Sequence, residues 1–166
     1  KAAAATRNPA ERDVQISDRI CELGWFGQKT ERGFYLYPQG TRIGTPDPEV
    51  LTIIEAERAR KGINPRSFSA DEIMERYMAA MVNEACEVLC EAVALKPSDI
   101  DVTFVCGYGF PRFRGGPMKY ADGYGLSKML DNIHTYKTED PVFWKPSPLL
   151  VDLVAAGKTF DDLNKG

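Results

Sequence analysis

The chain has 166 residues, 43% of them hydrophobic and 10% aromatic, enough for one ordinary core or for one domain with a substantial appendage. Its 21 Lys and Arg against 24 Asp and Glu leave a net charge of −3 with no long block of one sign, which speaks against a nucleic-acid partner. No apolar run approaches the roughly 18 residues of a membrane span, and the amino terminus lacks the basic-then-apolar order of a signal peptide, so neither secretion nor anchoring is expected.

The opening Lys1 to Pro9 carries little apolar bulk; it reads as frayed and as cut from a longer chain. From about Ala10 to Leu23, Val14, Ile16, Ile20 and Leu23 recur at helical spacing, and Gly24 stands where a left-handed residue would end that helix. Gly24 to Pro38 interleaves glycines with aromatics, which predicts a loop pinned by buried rings with extended backbone at Phe34 to Tyr37. The breaker-rich Gln39 to Pro46 reads as a linker. Asp47-Pro48-Glu49 then supplies an N-cap acceptor, a proline at the first helical position and an acid near the positive end of the dipole, for a helix to about Lys61 stopped by Gly62.

Ser69-Ala70-Asp71-Glu72 has the form of a capping box and opens the longest helix, of about 25 residues by its spacing. Ile73, Met74, Tyr77, Met78, Met81, Val82, Ala85, Leu89 and Val93 form the face expected to be buried. On this reading the Met74, Met78 and Met81 cluster is packing and Cys86 and Cys90 are small interior residues. Pro97 is expected to stop that helix, with a short helix from Ser98 to Cys106. Leu126, Met129, Leu130 and Ile133 point inward from a helix ending near Tyr136, and Ser147-Pro148 caps another that Gly157 ends. These elements give an all-α, orthogonal helical array with one short extended segment near 34–37.

Chemistry-bearing motifs are few. The four cysteines lack metal-site spacing, His134 is the only histidine and reads as a surface residue, and the glycine fingerprint of dinucleotide binding, the P-loop, the nucleophile elbow and the zinc-protease helix are all missing. No catalytic, cofactor-binding or metal-ligating residue is therefore assigned. The one unusual segment is Gly107-Tyr108-Gly109-Phe110-Pro111-Arg112-Phe113-Arg114-Gly115-Gly116-Pro117, with four glycines, two prolines and two arginines in eleven residues. It is either an anion cradle in which loop N–H groups, Arg112, Arg114 and Lys119 hold a phosphate or carboxylate, or a buried hinge whose arginines pair with acids of a neighbouring domain. The lack of a second phosphate-binding element favours the hinge.

Asn83-Glu84-Ala85, Asp99-Ile100-Asp101, Gly107-Tyr108-Gly109-Phe110-Pro111 and Arg114-Gly115-Gly116-Pro117-Met118, in that order, resemble the C-terminal domain of 3-hydroxyacyl-CoA dehydrogenases, and most closely the second copy of that domain in multifunctional β-oxidation enzymes. Gly27 to Tyr35 is similar to the G-x-K-T-G-x-G-F-Y segment that closes the first copy, with Arg32 read as standing where the family often has glycine. The resemblance implies the dehydrogenase C-terminal (6-phosphogluconate dehydrogenase C-terminal-like) fold, with 1–40 the tail of the first copy, 41–68 a linker and connecting helix, and 69–166 the second copy. It also implies that NAD and the catalytic His–Glu pair reside in a preceding Rossmann domain, and an enoyl-CoA hydratase/isomerase further upstream, so that the present chain alone is inactive. Matching Glu84-Ala85 to the family's E-A pair puts Glu75-Arg76 where the first copy carries a substrate-positioning Asn-Arg. A carboxylate cannot donate to a thioester carbonyl, so this copy reads as structural, packing its long helix and Gly/Pro loop against the first copy. Acyl-CoA would be met through the parent; a CoA-phosphate module using Arg112, Arg114 and Lys119 and an interaction module for a thiolase-type subunit are the alternatives. The carboxyl-terminal Leu163-Asn164-Lys165-Gly166 lacks a peroxisomal S-K-L type signal, so a bacterial cytoplasm is expected, with the peroxisome as the alternative.

Overall fold

The computed structural model describes residues 13–38 and 41–165, which divide into two compact units, a smaller one up to residue 67 and a larger one from residue 68. The start of the helix expected from about Ala10 lies outside the described residues.

In the smaller unit, α1 spans Ile16–Glu22 and ends in a left-handed Gly24 (φ 77°), with Trp25 N–H donating to Ile20 O and Gly24 N–H to Cys21 O, the paired bonds of a Schellman stop. Only Ile20 of its apolar residues is buried; Val14 and Leu23 are exposed. A 3-10 turn, Gln28–Thr30, leads to β1, Tyr35–Leu36, which pairs antiparallel with β2, Thr45–Pro46. The 39–46 stretch read as a linker is thus bridged by strand pairing. Phe26, Phe34 and Tyr35 are exposed, so the turn is not pinned by buried rings. It is held by Arg32, whose guanidinium lies 3.7 Å from the Trp25 ring centroid and donates to both Asp47 carboxylate oxygens, 2.7 and 3.1 Å away. Arg32 does not take the left-handed backbone expected at a glycine position; that falls on Glu31 (φ 59°), where the glycine of the G-x-K-T-G pattern belongs.

Asp47 also caps α2, Pro48–Lys61, by accepting the Glu49 N–H. At the other end Glu57 accepts two bonds from Arg60 at 2.8 Å and the Gln15 N–H at 3.2 Å, which ties α2 to the start of α1.

The larger unit is built on α3, Ala70–Cys90, whose cap is the Ser69 hydroxyl accepting the Glu72 N–H. The helix is shorter than its apolar spacing suggested. Its buried face is Met78, Ala79, Val82, Ala85 and Cys86, whereas Ile73, Met74, Tyr77, Val93 and Cys90 are exposed. Helix periodicity identifies an apolar stripe but not the length over which a neighbour covers it. Pro97 starts α4, Pro97–Gly107, rather than stopping α3. Then come α5 (Pro117–Tyr124), α6 (Leu126–Tyr136), α7 (Pro148–Ala156) and a short α8 (Phe160–Leu163). The expected inward residues of α6, Leu126, Met129, Leu130 and Ile133, are all buried, packed with Val82, Met118, Leu150 and Phe160 in one core. His134 is exposed, as expected. Ser147 sits at the N-cap of α7, yet its hydroxyl makes no capping bond and no hydrogen bond among the described residues.

The α4–α5 crossing is fixed by one carboxylate. Asp101 accepts the Met118 N–H at 2.7 Å and the Lys119 N–H at 3.1 Å, both unpaired donors of the first turn of α5. Burial pushes its carboxyl above the usual range, partly offset by these two bonds. Gly116 (φ 119°) lies so close that a Cβ there would fall inside the Asp101 carboxylate.

Gly116→Ala combines that clash with a forbidden φ and is expected to destabilise the larger unit by about 2–4 kcal/mol; Asp101→Ala, which orphans two N–H groups, by about 1–3 kcal/mol. Both are read from urea unfolding followed by Trp144 emission. In the smaller unit the Arg60 guanidinium holds Glu57 down to about 2 and Arg32 holds Asp47 below its ordinary value. Because these folded-state values are depressed, their stabilisation is present above the ordinary carboxylate range and is lost as pH falls towards 2. Trp25 emission in a Trp144→Phe background is expected to show unfolding that deepens from pH 5 downward, and Arg32→Gln to remove the Asp47 part of that dependence.

Candidate functional site

A concavity of the larger unit lies where α3, α4 and the glycine-rich loop meet. Met74, Tyr77, Met78 and Met81 form one wall; Phe104, Tyr108, Gly109, Phe110, Pro111 and Arg114 form the other, around about 340 Å³. The helix spacing 74, 77, 78, 81 puts the first wall on a single face of α3. The second wall is held by the loop's own backbone. Tyr108 and Phe110 N–H groups both donate to Phe104 O, at 3.1 and 3.0 Å, and the Phe104 and Tyr108 rings meet with centroids 5.4 Å apart. A 3-10 turn, Arg112–Arg114, follows, in which Arg114 N–H donates to Pro111 O and Gly115 N–H to Arg112 O.

Much of this loop's donor capacity is engaged within the unit. Four loop N–H groups are taken by loop or α4 carbonyls, and the amino end of α5, where an external anion would sit, is filled by Asp101. The three cations also separate. Lys119 pairs through its ammonium with Asp161 and does not line the groove; that pairing raises its pKa. Arg114 lines the groove, its guanidinium 5.1 Å from the Tyr120 ring centroid and 5.5 Å from that of Phe113. Arg112 is exposed, and neither arginine has a carboxylate partner among the described residues.

Three of the apolar side chains lining the groove stay open to solvent, Met74 at 49%, Tyr77 at 59% and Tyr108 at 76% exposed, and exposed apolar side chains gathered in one concavity are a feature of interaction surfaces. Sequence reading assigned Met74, Tyr77, Met78 and Met81 to the core; Met78 is buried in it and Met81 packs against it, whereas Met74 and Tyr77 are open. The signal was present in the two turns of α3 that precede its contact with α5 to α7, but burial and exposure of an apolar stripe look alike in sequence.

Motif residues that would matter for substrate contact are spent on internal bonds. Glu75 accepts the Tyr124 hydroxyl at 2.9 Å, and Asn132 Nδ2 donates to the same hydroxyl at 3.0 Å. Arg76 donates to both Glu139 oxygens at 2.9 and 2.7 Å and to Glu72 at 3.0 Å, with its guanidinium 4.1 Å from the Tyr136 centroid. Asn83 bridges the start of α7, Oδ1 accepting the Ser147 N–H at 2.8 Å and Nδ2 donating to Lys145 O at 2.9 Å.

A family model described as 3-hydroxyacyl-CoA dehydrogenase, C-terminal domain, matches residues 73–166, more than half of the sequence. The chain belongs to this family. It is 43% identical over 154 residues to a peroxisomal bifunctional enzyme of Danio rerio, covering 91% of the chain and 21% of that protein. The corresponding human enzyme is 41% identical over 157 residues, covering 92% and 22%, and a glyoxysomal fatty acid beta-oxidation multifunctional protein of Cucumis sativus is 35% identical over 137 residues, covering 80% and 19%. The chain thus spans about one fifth of the length of these relatives. Among the described residues the larger unit has no strand, hence no strand-to-helix crevice of the kind that seats a dinucleotide.

Asn83→Ala removes two hydrogen bonds and orphans the buried Ser147 N–H; a loss of about 1–3 kcal/mol is expected in denaturant titrations followed by Trp144, three residues from the break.

Proposed function

We propose that this chain is a mainly structural, C-terminal part of a fatty-acid β-oxidation multifunctional enzyme, and that its groove face docks on the first copy of the dehydrogenase C-terminal domain in the same parent. The carrying observation is the open apolar face of α3 and the loop on a unit whose polar motif residues are engaged internally. The parent, on this reading, combines an enoyl-CoA hydratase/isomerase with an NAD-dependent 3-hydroxyacyl-CoA dehydrogenase, whose Rossmann domain holds NAD and performs the hydride transfer. Residues 69–166 are the second copy. Residues 12–67, whose strand pairing joins both sides of the 39–46 stretch, close the first copy through their Gly27 to Tyr35 segment and run on into the connecting helix.

The relatives are described as bifunctional or multifunctional, which puts several activities in one chain and favours a docking partner within the parent over a thiolase-type subunit. Their peroxisomal and glyoxysomal names support a peroxisomal compartment in place of the bacterial cytoplasm. The CoA-phosphate reading is weakened by the occupied α5 terminus and by the pairing of Lys119 with Asp161.

Two measurements test the proposal. The 166-residue chain is expected to show no NADH formation with 3-hydroxyacyl-CoA and NAD, and appreciable turnover would overturn it. Removing residues 68–166 from the parent is expected to lower the soluble yield or the dehydrogenase activity, by roughly tenfold or more if the face buries a standard interface; an unaltered parent would contradict the structural role.

A further inference from the structure

We infer that the segment covering this groove is an acidic plug: one large apolar side chain seated between the α3 wall and Phe110, with a neighbouring carboxylate paired to Arg114. The inference rests on the docking reading above and specifies the chemistry of the partner surface. Its first ground is volume. About 340 Å³ is room for one or two bulky side chains inserted from a covering surface.

The second ground is the fate of Arg114 when the face is covered. Arg114 lines the same groove as Met74 and Tyr77, so a surface that shields those residues from water also covers this arginine and takes water from its cation. A desolvated guanidinium without a partner opposes association strongly, and two stacked rings do not replace a carboxylate. The covering surface must therefore bring the anion.

The third ground is charge distribution. Residues 68–166 hold ten Lys and Arg against fifteen Asp and Glu, yet Arg112 and Arg114 have no acidic partner among the described residues, while Arg76, Lys119 and Lys165 are all paired. The loop thus presents positive charge, unmatched by an acid of its own unit, beside the apolar face. Stacking on Tyr120 and Phe113 limits the rotamers of Arg114, the preorganisation typical of an arginine that anchors an interface.

The experiment uses the full parent chain with p-benzoylphenylalanine in place of Tyr77, ultraviolet cross-linking and peptide mapping. The expected product joins Tyr77 to a peptide of the first C-terminal copy that contains Asp or Glu. Arg114→Glu is expected to cut that cross-link at least about tenfold, and reversal of the mapped acid to arginine in the same chain to restore it. Arg114 is exposed and bonds no core residue, so unchanged Trp144-monitored unfolding of Arg114→Glu shows that the loss is not one of folding. A cross-link within the first copy that persists in Arg114→Glu overturns the acidic plug while leaving the docking reading intact. A cross-link to the Rossmann or hydratase part, or none at all, overturns both.

Discussion

The geometry of the larger unit depends on the Asp101 carboxylate at the amino end of α5. It satisfies two N–H groups that no intrahelical carbonyl can reach, and it does so from α4, so the bond that caps one helix also sets its crossing with the previous one. Asp122, on α5, repeats the device by accepting the Phe160 and Asp161 N–H groups of α8, and Asn83, on α3, does so for α7 through Ser147. Three of the helix starts thus receive their capping bonds from side chains of other helices. The glycine-rich segment is the consequence: Gly116 must lack a Cβ for Asp101 to reach α5, and the turn before it is drawn into a fixed path that ends at Arg114.

The proposed architectural role rests on this arrangement. The polar side chains on the motif positions are bound within the unit, since Glu75 holds Tyr124, Arg76 joins α3 to Glu139, Asn83 caps α7 and Asp101 caps α5. A side chain so engaged is not free to orient a substrate without breaking the cap or pair it serves. Beside these engaged groups the groove leaves apolar side chains and Arg114 open, a composition common in contact faces.

Local signals in the sequence were accurate where the physics is local. Asp47 with Pro48, Ser69, and the stops at Gly24, Gly62 and Gly157 were legible because capping involves residues within one turn. The inward face of α6 was legible because one side of that helix is covered along its whole length. The illegible features are those decided by distant residues. Cys90 has the spacing of Cys86 but lies beyond the cover of the core, and Ser147 has the identity of a cap while Asn83 supplies the bond. The groove falls in the same class. Its methionines and tyrosine repeat as a core stripe would, and only the end of contact along α3 turns Met74 and Tyr77 into surface while Met78 stays buried.

The two units differ in what holds them together, and the difference bears on how the chain is used. Residues 68–165 bury a continuous core running from Met78 to Phe160. Residues 13–67 bury only Ile20 and Val50 among their hydrophobic side chains and expose Phe26, Phe34, Ile43 and Leu51. With so little apolar area removed from water, the folded arrangement of this smaller unit leans on charge-assisted bonds, Arg32 to Asp47 and Arg60 to Glu57, which are individually modest because they stay near solvent. A segment of about 55 residues with two buried aliphatic side chains lies below the size of core that sustains an independent domain. On the proposal that the Gly27 to Tyr35 segment closes the first copy, its exposed rings and aliphatics are the surface that the rest of that domain would cover.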